Sequence, residues 1–65
     1  MLNQIFRDTI RKFCLKNKFD YYDTVIFIEY HIKETQNLIR RQLNRQEIME
    51  LTLNAMSYLS TKNNK

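Results

Sequence analysis

The chain has 65 residues, of which 43% are hydrophobic and 28% charged, and its net charge is +4. A chain this short forms one domain at most, burying about 60% of the surface that its unfolded state exposes, and its composition is that of a globular rather than a disordered protein. It contains no glycine and no proline, which excludes glycine-rich phosphate-binding loops and argues against sheets built from hairpins.

The cysteine content and the hydropathy of the sequence indicate the cellular environment in which the protein is expected. Cys14 is the only cysteine, which excludes a disulfide or a thiolate zinc cluster built within one chain. The longest apolar run, 25–28, is far shorter than the roughly 20 residues of a membrane-spanning helix. Residues 1–8 lack the apolar core of a signal peptide. We therefore expect a cytoplasmic protein that has no membrane partner.

The first helix is predicted from about Asn3 to Lys16. Its apolar residues recur at the spacing of one helical face, and Asn3 is well placed as the N-cap. A turn is expected at 17–20, after which Asp20 can cap the second helix with Asp23 at its third position.

The second helix is predicted to run to about Leu43, giving about 23 residues and a length of ~34 Å at 1.5 Å per residue. Its main stripe advances in steps of three and four. The residues of that stripe are Tyr21, Val25, Ile28, Ile32, Thr35, Ile39 and Leu43. A β-strand over 24–32 is the alternative, because β-branched and aromatic residues alternate there. No turn residue closes such a strand, and no second strand is available to pair with it.

The third helix has the clearest start signal. Asn44 and Glu47 form an N-x-x-E capping box, and Leu43 and Ile48 occupy the positions of a hydrophobic staple around it. The face expected to be buried consists of Ile48, Leu51, Ala55 and Leu59.

These segments predict an all-α fold, a small three-helix domain with a long central helix that associates as a helical dimer. The third helix is expected from Arg45 to about Leu59. The domain then covers residues 1–60, and residues 61–65 are expected to form a frayed polar tail.

Residues with catalytic or metal-binding chemistry are few and isolated. His31 is the only histidine, and no second histidine or cysteine lies one helical turn away, so a metal site would have to be shared between chains. Cys14 has basic neighbours but no general base, and capping accounts for Asp20 and Asp23. We therefore predict no catalytic residue, no metal ligand, no cofactor and no small-molecule substrate.

Aromatic and aliphatic residues crowd around the start of the second helix and point in every direction. Shorter neighbouring helices cannot cover all sides, so one apolar side is predicted to form an interface. The residues assigned to this apolar interface are Tyr22, Ile26, Phe27 and Tyr30. The alternative is that the first and third helices enclose them as ordinary core.

Basic residues are clustered rather than evenly spread. Arg40, Arg41 and Arg45 lie at the junction between the second and third helices, and Arg7 and Arg11 lie on the first helix. All five are candidate contacts for a partner, and they fit nucleic-acid phosphates, an acidic protein or a solvated face. Two glutamates in the third helix argue against a DNA-recognition helix there.

Together these features predict a small non-enzymatic helical binding module that regulates or inhibits a protein partner and forms a homo-oligomer. The alternative is a basic helical regulator that binds DNA or RNA. The two differ in one measurable property, because binding to nucleic acid weakens steeply as salt is added.

Overall fold

The computed structural model describes residues 3–63, which form three helices: α1 (Gln4–Asn17), α2 (Tyr21–Ile39) and α3 (Arg45–Asn63). The predicted all-α, three-helix architecture is confirmed. The strand alternative over 24–32 is wrong, since the described residues include no strand and that stretch is helical throughout.

The starts of α1 and α2 follow the predicted caps. Asn3 Oδ1 accepts a hydrogen bond from the backbone N–H of Phe6 at 3.2 Å, and Asp20 Oδ2 accepts from the N–H of Asp23 at 2.9 Å. Both cap residues have the extended backbone of an N-cap. Local side-chain chemistry therefore determines where these two helices begin.

Both helices end at a basic residue in the left-handed conformation. Lys18 and Arg40 each have a φ of 60°, and their backbone N–H groups donate to the carbonyls of Cys14 and Gln36, respectively. Glycine usually takes this position, because a Cβ makes left-handed backbone unfavourable by about 1–2 kcal/mol. Lysine and arginine fill that role in this chain, which has no glycine.

The central helix is shorter than predicted, because α2 ends at Ile39 and not at Leu43. It has 19 residues, as does α3, so the prediction of a distinctly long central helix is wrong. The chain has to leave α2 before Asn44 for the capping box to form, and the left-handed turn at Arg40 provides that break. Leu43 lies in the connecting turn, where its N–H donates to Gln36 Oε1 at 3.0 Å and its side chain packs against the core.

The start of α3 is the predicted capping box. The N–H of Glu47 donates to Asn44 Oδ1 at 2.8 Å, and the N–H of Asn44 donates to Glu47 Oε1 at 3.0 Å. The helix continues four residues beyond its predicted end at Leu59, since no glycine or proline stops it. Of the predicted tail at 61–65, the first three residues are helical and the last two lie outside the described residues.

One face of each helix contributes to a small core. The buried residues are Phe6, Ile10 and Cys14 from α1, Thr24, Ile28 and Ile32 from α2, and Thr52, Ala55 and Met56 from α3. The face of α3 is therefore rotated from the predicted one, with Leu51 and Leu59 only half-buried. The hydroxyls of Thr24 and Thr52 donate to main-chain carbonyls one turn earlier, at 2.8 and 2.7 Å. Those hydrogen bonds allow two polar side chains to lie inside the core.

The three helices form a thin domain. Its Cα positions span 35 × 26 × 17 Å. At about 10–12 Å per helix, the shortest dimension holds at most two layers, so each helix keeps an outer face in solvent. Within residues 3–63, no helix combines the length and the hydropathy required to cross a bilayer.

Candidate binding surfaces

The outer face of α2 carries three large apolar side chains in solvent. Tyr22, Ile26 and Tyr30 are 74%, 64% and 59% exposed. Steps of four residues place them one above another along the helix, on the side opposite the buried Ile28 and Ile32. We call Tyr22, Ile26 and Tyr30 the outer strip. The neighbouring helices do not enclose it as core.

Phe27 lies apart from the outer strip, although the sequence pattern grouped it there. Its half-buried ring packs edge-on against His31, with 4.4 Å between ring centroids, and lies nearly parallel to the ring of Tyr58 at 6.3 Å. The structure thus brings together three of the four predicted interface residues and directs the fourth towards α3.

A shallow cleft between α2 and α3 has no counterpart among the predicted sites. It has a volume of about 490 Å³ and is lined by Phe27, His31, Thr35, Leu51, Asn54, Ala55 and Tyr58. Leu51, Ala55 and Tyr58 recur at steps of four and three, which is the sequence signal that points to this side of α3. The cleft is mainly apolar, with His31, Thr35 and Asn54 as its polar groups.

Arg41, at the basic junction, is held by a glutamate of α3. Its Nη1 donates to Glu47 Oε1 at 2.8 Å and its Nη2 donates to Glu47 Oε2 at 2.6 Å. These hydrogen bonds, with that from the N–H of Asn44, lower the pKa of Glu47 to about 2. Glu47 in turn raises the pKa of Arg41. The charge of Arg41 is therefore largely balanced within the molecule.

The other two arginines of the junction have different positions. Arg40 is the exposed left-handed residue that ends α2. Arg45 is the first residue of α3 and borders a second cleft, of about 410 Å³, whose far side is the start of α1 around Ile5 and Phe6. Both side chains are exposed and can contact a charged partner.

The arginines of α1 also differ from each other. The guanidinium of Arg11 lies 3.9 Å from the Asp8 carboxylate and 5.1 Å from the centroid of the Tyr21 ring. Arg7 is exposed on the same helix. Arg11 and Arg41 thus both have an acidic partner within the chain, so the five predicted basic residues are not five equivalent cations.

Cys14 and His31, the two residues with potentially reactive side chains, pack against other residues of the chain. Cys14 is a buried core residue, and its Sγ lies 4.0 Å from the carbonyl oxygen of Asp20. His31 is exposed and contacts the rings of Phe27 and Tyr30. In the described part of the chain, no three histidine, cysteine or acidic side chains come together as metal ligands.

Comparison with known proteins finds no matching family model, no similar curated protein and no matching solved structure. The outer strip brings three large apolar side chains, each more than half exposed, together on one helix face.

Proposed function

We propose that this chain is a non-enzymatic helical binding module that self-associates through the outer face of α2 and regulates or inhibits a protein partner. The observation that carries the proposal is the outer strip of Tyr22, Ile26 and Tyr30. Leaving a large apolar side chain in water forgoes roughly 1.5–3 kcal/mol of burial. A domain this small recovers that free energy when a protein surface covers the strip.

Tyrosine suits such a contact. Its ring is buried against the partner while its hydroxyl remains at the wet rim. The surroundings of the strip carry both signs of charge, with Asp23 and Glu29 acidic and Lys33 basic. An interface between two identical copies needs one patch that is complementary to itself, and mixed charge around an apolar centre meets that need. The proposed occupant is accordingly a second copy of the chain.

The exposed arginines Arg40 and Arg45 are the proposed contacts for the regulated protein, and Arg7 on α1 is a weaker candidate. Nucleic acid is the alternative partner for these cations. We rank it second, because Arg11 and Arg41 each have an acidic neighbour and the net charge is only +4. Affinity for a DNA duplex that falls steeply with salt would reverse this ranking.

Sedimentation equilibrium tests the proposal. At micromolar concentration the wild-type chain should give about twice the monomer mass, and Ile26→Glu should shift it to monomer while the helical circular dichroism spectrum is kept. Leu15→Glu is the matched control, since Leu15 is 76% exposed and belongs to α1 and not to the outer strip, and this variant should remain dimeric. A wild-type chain that is monomeric up to millimolar concentration would refute self-association.

A further inference from the structure

We infer that the two copies pair antiparallel along α2, with Ile26 of one chain opposite Ile26 of the other. This inference rests on the proposed self-association and adds its direction and register. The outer strip itself supports it. Tyr22 and Tyr30 stand four residues before and after Ile26, so the strip has the same order of side chains when it is read in either direction.

In a two-fold symmetric dimer, the order of side chains in the outer strip determines which residues of the two copies lie opposite each other. In an antiparallel pair centred on Ile26, Tyr22 of one copy lies level with Tyr30 of the other, about 6 Å from the centre at 1.5 Å per residue. Two copies then bring four tyrosine rings and two isoleucines into one continuous seam. All three members of the strip find an apolar counterpart in this single arrangement.

The acidic residues beside the strip fit the same register. Asp23 and Glu29 lie three residues before and after Ile26, and at 100° per residue they fall on opposite edges of the strip. In an antiparallel pair each edge meets the same edge of the second copy. Asp23 then lies beside Tyr30 of the second copy, and Glu29 beside its Tyr22. Tyrosine hydroxyls can donate to these carboxylates. Asp23 of one chain and Glu29 of the other, which lie level along the axis, are on opposite edges.

Lysine placement decides against the parallel alternative. Lys33 also lies on the outer face, because at 100° per residue its angle around the helix axis falls between those of Tyr22 and Ile26. A parallel pair would set Lys33 against Lys33 and would align the two helix dipoles. The antiparallel pair separates the two lysines by about 21 Å along the axis. It also brings each one to the start of α2 in the second copy, where Asp20 and Asp23 are acidic.

Variants with one added cysteine, each keeping the buried Cys14, test the register by oxidation to disulfides. Ile26→Cys should form a linked dimer with itself, whereas Tyr22→Cys and Tyr30→Cys should each link poorly alone. A mixture of Tyr22→Cys and Tyr30→Cys, one carrying a tag that changes its mass, should give the mixed dimer. The wild-type chain is the blank, because Cys14 is only 4% exposed, and Leu15→Cys controls for chance collision at an exposed site.

The outcomes separate the register from the self-association on which it rests. Self-linking by all three strip variants, with no preference for the mixed dimer, would establish a parallel pair and overturn the inference. A wild-type chain that sediments as a dimer while no strip variant links would place the contact elsewhere and would also overturn it. Failure of the wild-type chain to dimerise would refute the proposed function itself.

Discussion

The inner and outer faces of α2 are built from the same kinds of residues and have opposite exposure. Ile28 and Ile32 on the inner face are 0% exposed, while Ile26 on the outer face is 64% exposed. Ile26 and Ile28 are two positions apart, so the helix points them about 200° apart around its axis. α1 and α3 cover one side of α2 only. In a domain of this size, an apolar side chain of α2 is therefore buried only if it lies on the side that α1 and α3 cover.

The difference between the two faces is tested most directly by truncating one isoleucine to alanine on each face of α2. Ile28→Ala should lower the free energy of unfolding by about 2–5 kcal/mol, because it removes a fully buried side chain and leaves a cavity. Ile26→Ala should change it by less than about 0.5 kcal/mol. Urea denaturation at low protein concentration measures both without a contribution from association. Equal losses in the two variants would show that the outer face is core.

A smaller loss of stability is expected when the N-cap of α3, the helix that packs on the inner face of α2, is removed. Asn44→Ala removes the N-cap of α3 and should lower the free energy of unfolding by about 1 kcal/mol. Asn37→Ala is the control, since Asn37 is an exposed residue inside α2. Thermal melts of the two variants compare them directly. An unchanged melting temperature in Asn44→Ala would mean that the capping box does not position α3.

The smallest effect concerns the ion pair that closes the α2–α3 turn. Hydrogen bonds from Arg41 and from the N–H of Asn44 lower the pKa of Glu47 from 4.5 to about 2, so ionised Glu47 stabilises the folded state. That contribution is complete above the ordinary pKa of a carboxyl group and is lost as pH falls through about 2. The difference in melting temperature between wild type and Glu47→Gln should therefore shrink as pH is lowered from 5 to 2. A difference that does not depend on pH would contradict this role.

The same ion pair changes what is expected of the basic junction. Its arginines were predicted from their density to form one contact surface. Reversing the charge of Arg41 would set it against Glu47 and weaken the turn, whereas Arg40 and Arg45 can be reversed without losing an ion pair within residues 3–63. Binding experiments on this surface should therefore use Arg40 and Arg45, with Arg41 kept as wild type.

The candidate surfaces could be predicted only in part. The i, i+4, i+8 spacing located Tyr22, Ile26 and Tyr30 on one face of a helix, because helix geometry follows from residue number alone. It did not place Phe27, whose ring turns towards Tyr58 on α3, a residue far away in the sequence. The cleft between α2 and α3 was missed for the same reason, since it depends on how the two helices are rotated against each other.

Local chemistry in the sequence determined the helical class and the starts of the helices. The caps Asn3, Asp20 and Asn44 each accept from the N–H three residues ahead, and such short-range hydrogen bonds do not depend on the rest of the fold. Tertiary structure decided where α2 ends and which face of α3 is buried. Arg40 accepts left-handed backbone and Thr52 is buried, because packing three helices around one small core outweighs the local preference of either residue.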